Sequence, residues 1–223
     1  MSTLEPDFEK VFARRRAKKI ALAFIKRGED AGIPPKYLCL NESVFKNVLD
    51  ESYHGSKVSE LCQNIYHDSN WLLSIPVILI DGGDVDSRKK AGFAILFRMI
   101  SFDRRGLYSD FHDLTKKFQS FDATLDVSRN DLAEEMKTYD TLFISEFDRR
   151  HFSPHCETGS FFDEVLGHRI DFVKPTIISS SDPISIANPI LNKDCGEYLA
   201  NLSVKEKSTD SVLRIRVKKE ANE

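Results

Sequence analysis

Apolar positions along this chain follow two rhythms. Over residues 7–27, Phe8, Val11, Phe12, Ile20, Leu22, Ala23, Phe24 and Ile25 recur at helical spacing among Arg14, Arg15, Arg16, Lys18, Lys19, Lys26 and Arg27. The pattern predicts a basic helix that Gly28 stops. From residue 57 onward, short apolar runs alternate with helical patterns. The runs predict strands near 74–80, 107–111, 141–145, 175–179 and 211–217, with helices over 43–50, 57–69, 88–102, 112–119, 129–137, 158–170 and 183–201. Strands and helices in alternation imply an α/β fold of three layers around a mostly parallel five-stranded sheet. In the last run Arg214, Arg216 and Lys218 interrupt Val212, Leu213, Ile215 and Val217, so that strand is expected at an edge or half-exposed. Residues 1–30 read as a basic extension and residues 31–223 as the domain.

Composition narrows the picture. With 223 residues, 41% of them hydrophobic, the chain can bury the core of one domain. A net charge of −3 excludes a uniformly basic surface and shifts attention to local patches. No apolar run approaches the roughly 20 residues that span a bilayer, and the first residues lack the basic and apolar regions of a signal peptide, so a cytoplasmic protein without membrane contact is expected. Cys39, Cys62, Cys156 and Cys195 lie too far apart for a zinc ribbon or a disulfide framework and read as free thiols. His151, His155 and Cys156 surround a proline turn without a fourth ligand, which favours a polar loop over a metal site.

The chemistry concentrates at strand ends. The run Leu72 to Ile80 leads into Asp81-Gly82-Gly83-Asp84-Val85-Asp86-Ser87-Arg88-Lys89-Lys90 and then a helical pattern, the layout of a phosphate-binding loop. Such a loop needs glycines that let backbone N–H groups face phosphates, a lysine for the β and γ phosphates, and a hydroxyl for magnesium. Counting from Gly82, those places fall to Ser87, Arg88 and Lys89; counting from Gly83, to Arg88, Lys89 and Lys90. Neither phase supplies the second glycine or the hydroxyl. Asp84 and Asp86 set carboxylates where a polyanion must approach, so productive ATP binding is not expected. A cation held by Asp81, Asp84 and Asp86 fits no standard loop, and a solvated turn is preferred. The run Thr141 to Ile144 ends in Ser145-Glu146 where a nucleotide site carries Asp-Glu: the metal-holding carboxylate is missing, and Glu146 is expected to cap or to form a salt bridge. Ser180, in Ser179-Ser180-Ser181-Asp182-Pro183, stands where a hydroxyl could orient a γ phosphate, although the run reads better as a helix cap.

Three stretches carry a resemblance. Ala31-Gly32-Ile33-Pro34-Pro35-Lys36-Tyr37, Tyr139-Asp140 through Ser145-Glu146, and His168-Arg169 through Lys174-Pro175-Thr176-Ile177-Ile178-Ser179-Ser180-Ser181 together resemble the bacterial replicative helicase loaders of the AAA+ class, the DnaC-like group with the related IstB-like transposition helpers. The likeness spans about residues 20 to 217. It implies an AAA+-like P-loop domain whose vestigial nucleotide residues are Gly82, Gly83, Ser87, Arg88, Lys89, Ser145 and Ser180. Gly196 to Leu202 lacks the arginines with which that family reaches a neighbour's ATP. With the P-loop, the strand-end aspartate and the arginine finger all degenerate, the resemblance implies a scaffold that does not hydrolyse ATP, needs no cofactor and has no catalytic residue beyond the residual Glu146. A replicative helicase or its loader is the implied partner, the source a phage or mobile element, and assembly into an oligomer is open. The basic helix, with Arg14, Arg15, Arg16, Lys18 and Lys19, is expected to grip DNA or a partner. Family members also hold single-stranded DNA, for which Arg104, Arg105, Lys116 and Lys117 beside Phe118 and Phe121 form the candidate set; an ordinary solvated helix face is slightly preferred. Two alternatives stay open: a regulator that mimics a loader, and an active ATPase in which Arg88 or Lys89 replaces the lysine and Glu146 holds ATP-bound magnesium.

Overall fold

The computed structural model describes residues 8–38, 40–120, 126–147, 157–181 and 212–218. The chain opens with helix α1 (Phe8–Asp30), a short 3-10 turn at Pro35–Tyr37, and helices α2 (Glu42–Val48), α3 (Glu51–His54), α4 (Lys57–His67) and α5 (Ser69–Ser74). Strand β1 (Val77–Gly82), helix α6 (Val85–Ser101), strand β2 (Gly106–Asp110) and helices α7 (Phe111–Ser120) and α8 (Asp126–Thr138) follow. Strand β3 (Thr141–Ser145), helix α9 (Glu157–Asp171), strand β4 (Thr176–Ser179) and strand β5 (Val212–Val217) complete the described elements. The predicted helix at 183–201 and the histidines and cysteine at 151–156 lie outside the described residues.

All five strands run parallel, in the order β2-β3-β4-β1-β5. Alternation along the strands feeds two cores. Ile78, Ile80, Phe143, Ile177, Ile215 and Val217 face one side, where α2, α4 and α6 pack. Val77, Leu79, Leu142, Ile144 and Ile178 face the other, against α7, α8 and α9. Because both faces are covered, the strands read as continuous apolar runs and their positions match the sequence closely. The last strand is an edge, as expected; its outer side is closed by Leu49 bridging Val217 and by the Asp50 N–H donating to the Arg216 carbonyl at 2.9 Å.

Of the boundaries that differ from expectation, three have a clear local reason. Gly28 does not end α1: a Cβ there would sit 2.4 Å from Leu38, so the glycine lets the connecting segment lie against a helix that runs on to Asp30. The strand expected from residue 74 starts only at Val77, because Ser74 is the end of α5, which Asp68 caps by accepting from the Trp71 N–H at 2.9 Å. Helix α6 begins three residues before the predicted position 88, because Asp84 caps it.

Candidate functional site

In parallel α/β sheets the crevice for ligands lies beyond the carboxyl ends of the strands. Here that end of the sheet collects Asp81 and the Gly82-Gly83 pair from β1, Asp110 from β2, Ser145 and Glu146 from β3, and Ser179 and Ser180 from β4. The early start of α6 decides what room they leave. Only Gly83 and Asp84 separate β1 from the helix. A Cβ on Gly82 or Gly83 would meet the Val217 or Lys218 carbonyl oxygen at 2.8 and 2.7 Å, and both residues hold positive φ, +80° and +53°. The glycine pair is therefore required by β5 lying across it.

The helix start is already satisfied. Asp84 accepts from the Ser87 N–H at 2.8 Å and from the Ser87 hydroxyl at 3.0 Å. These are the donors that a phosphate at a helix N-terminus uses, and the carboxylate answers the helix dipole in its stead. One turn in, Arg88 is 3% exposed and points across the crevice. Its Nε and Nη2 donate to the Glu146 carboxylate at 3.0 and 2.6 Å, and its Nη1 donates to the Gly82 and Gly83 carbonyls at 2.8 and 2.9 Å. A bidentate pair of this kind is the strong form of an ion pair. Glu146 itself is held in the left-handed region, φ +55°, by its N–H donating to the Ser179 hydroxyl at 3.1 Å.

A second network lies beside the first. Asp110 accepts from Lys89 Nζ at 3.1 Å and from the Ser145 hydroxyl at 3.0 Å, and the Tyr108 hydroxyl lies 2.9 Å from that of Ser145. Burial alone would raise the Asp110 carboxyl, but Lys89 holds it below the usual carboxylate range and is itself raised by the same contact. The carboxylate missing at Ser145 is thus supplied from the neighbouring strand, aimed at a lysine.

The remaining acidic residues disperse. Asp86 accepts from the Tyr37 hydroxyl at 2.6 Å and pairs with Lys36 and Lys90, and the Tyr37 hydrogen bond is the first cause holding its carboxyl down at about 2. Asp81 is 2% exposed and pairs with Arg216 of β5 at 2.9 Å, with Arg214 at 3.7 Å. The expected solvated turn is thus instead a set of paired carboxylates, and among the described residues no three potential ligands gather for a metal ion. In the serine run the Ser179 hydroxyl takes the Glu146 N–H, and Ser180, 4% exposed, donates to the Phe147 carbonyl at 2.8 Å; the helix this run was expected to cap lies outside the described residues.

The expected contact residues are spread over three places. Arg15, Arg16, Lys18 and Lys19 are exposed on α1, and Arg14 lies on α1 outside the residues whose side chains are described. Arg104 and Arg105 precede β2, whereas Lys116 and Lys117 sit exposed on the helix that leaves its other end. Phe118 and Phe121 fall outside the described side chains. Sequence reasoning missed Asp110, Tyr108 and Tyr37 as participants, and weighed Asp81 only as a cation ligand. Asp110 had a signal, a carboxylate at the carboxyl end of a predicted strand.

No protein-family model matches the sequence, and no curated protein matches it. Solved structures do. A DNA replication initiation factor superposes with TM-score 0.56 at 12% identity, over 79% of this chain and 50% of that one. A replication initiator DnaA bound to AMPPCP and single-stranded DNA superposes with TM-score 0.55 at 14% identity, over 79% and 51%. The fold is that of an AAA+ P-loop domain. The comparison agrees with the resemblance read from the sequence at the level of fold, and this chain spans about half the length of those initiators. A DnaC helicase loader aligns at TM-score 0.44 and 16% identity, over 78% of this chain and 99% of that one. Among the described residues no helix is long and apolar enough to cross a membrane.

Proposed function

We propose that this AAA+-like chain is a helicase-loader-like protein of DNA replication that acts as a scaffold, holding a replicative helicase or its loader and single-stranded DNA without hydrolysing ATP. The observation that carries the reading is the Arg88–Glu146 pair beside the Asp84 cap. The residues present do not fit magnesium ATP. A triphosphate would displace the Asp84 carboxylate from the Ser87 N–H and strip Arg88 from Glu146 and from the Gly82 and Gly83 carbonyls. Glu146 would then keep a charge without its partner, and unpaired charge in a partly buried place costs several kcal/mol. Lys89 stands where the magnesium hydroxyl belongs and is committed to Asp110. The fold shared with replication initiators supports the replication setting, and the sequence stretches that resemble the loaders support the partner.

Calorimetry with ATP and ADP in the presence of magnesium tests this directly. No heat is expected from the natural chain, and micromolar binding would sink the scaffold reading. Arg88→Lys combined with Asp84→Gly, Ser87→Gly and Lys89→Thr is the matched repair variant. Pull-down of a replicative helicase tests the partner, and adding the protein to a helicase-loading reaction separates a loader, which raises loading, from a mimic that lowers it.

A further inference from the structure

At the opposite end of the sheet from Arg88, where β2 and β3 begin, an open cleft of about 380 Å³ lies between the end of α1 and the turn joining α6 to β2. Arg27, Asp30 and Ala31 form one wall, Ile100, Asp103, Arg104, Arg105 and Gly106 the other, and Tyr139 closes an end. Its chemistry is specific. Arg27 is fixed by Asp103, and Arg105 is fixed by donating to the Thr138 carbonyl at 3.0 Å with its guanidinium 5.7 Å from the Tyr139 ring centre. Arg104 is exposed and has no partner among the described residues. The cleft therefore offers one uncommitted cation at Arg104, two arginines whose charge Asp103 and Asp140 offset, the Asp30 carboxylate at its α1 wall, an apolar patch at Ile100 and Ala31, and a half-buried aromatic ring.

The cleft lies at the foot of a cationic helix. Residues 15–23 of α1 are all exposed, and Arg15, Arg16, Lys18, Lys19 and Lys26 make no ion pair among the described residues. Arg16 and Arg27 are eleven residues apart, about three turns and roughly 16 Å along one stripe of the helix. That is a span of two to three nucleotides in an extended strand. Exposed cations spread over the length of a few nucleotides and leading to an aromatic ring beside an arginine suit a single strand, as a backbone track with a stacking platform. A duplex keeps its bases stacked inside and has nothing to offer Tyr139.

We infer that this cleft seats one nucleotide unit of single-stranded DNA, the base against Tyr139 and its phosphate on Arg104, with the backbone running along the cationic stripe of α1. The inference gives a location to the single-strand contact in the proposed role and lies apart from the Arg88 crevice. The test is fluorescence anisotropy of a labelled oligo-dT of about 12 nucleotides with the full chain across a salt series. Tyr139→Ala is expected to weaken binding about tenfold and Tyr139→Phe to preserve it. Arg104→Ala should lower the log–log salt slope by about 0.7, one phosphate contact on a single strand. A hairpin duplex should bind more weakly than oligo-dT at equal salt.

Unchanged affinity in both Tyr139→Ala and Arg104→Ala would overturn the site, as would no binding of oligo-dT by the natural chain. Displacement of oligo-dT by free dTMP at equal phosphate concentration would assign the cleft to free nucleotides instead. Equal competition by poly-glutamate would assign the surface to an acidic protein. Helicase pull-down with the same variants keeps the two readings distinguishable: captured helicase with oligo-dT affinity unchanged in both variants sinks the cleft alone, and lost capture by the natural chain sinks the scaffold.

Discussion

Arg88 is the residue on which the crevice turns. Removing one member of a buried pair strands the other, so Arg88→Ala should cost about 3 kcal/mol, read as a lower urea midpoint with unchanged slope. Arg88→Met with Glu146→Leu removes both charges and should recover most of that loss. Asp86 gives the pH handle. Its carboxyl lies lowered, from 3.8 to about 2, first through the Tyr37 hydroxyl. A carboxyl lowered by folding contributes stability above its unfolded pKa, and that contribution is lost as pH falls from about 4 toward 2. Asp86→Asn should therefore be less stable at neutral pH and lose less between those values, measured as urea midpoints in a pH series; parallel profiles would contradict the assignment. Arg88 and Glu146 were both visible in the sequence as candidates. Their pairing was not, because it spans 58 residues and follows from β1 and β3 flanking the same strand.

Helix ends explain most of what the pattern could not place. Fully buried strands are marked by apolar runs alone, so β1, β3 and β4 were readable to within three residues. Caps depend on one side chain each. Asp84 in a glycine-rich acidic stretch looks like loop composition, yet it starts α6 early and removes the loop a nucleotide would occupy. The end of α9 shows the converse. Val173 N–H donates to Ile170 and Lys174 N–H to Arg169, the two bonds of a Schellman ending, with Val173 in the left-handed position at φ +49°. That conformation costs an L-residue about 1–2 kcal/mol, more than glycine's added unfolded-state freedom of about 0.5–1 kcal/mol. Val173→Gly should raise stability by about 0.5–1 kcal/mol, a melting point higher by roughly 1–4 °C. A lower melting point would mean that exposed Val173 packs on something.

The whole molecule divides into a tied core and a surface that the fold does not use. Arg169 ties the core: 0% exposed, it donates to the Met136, Tyr139 and Pro175 carbonyls and to the Thr176 hydroxyl at 2.7–2.8 Å, joining α9 to α8, to the turn that follows α8 and to the start of β4. Burial pulls its guanidinium down to about 10, so it stays charged at neutral pH and serves carbonyls instead of a carboxylate. Arg169→Met would leave those carbonyls unsatisfied and should cost at least 3 kcal/mol. The opposite holds on α1. Ile20 and Leu22 are 50% and 56% exposed, within a stretch, residues 15–23, that is exposed throughout. Ile20→Ser with Leu22→Ser should change the stability of the isolated protein by less than about 0.5 kcal/mol. Urea denaturation at two protein concentrations decides between the cases. A neutral double variant beside a damaged Arg169→Met confirms that folding does not require these apolar positions, which leaves them available to a bound molecule. A loss in the double variant that grows with protein concentration would show instead that α1 already buries these residues against a second copy of the chain.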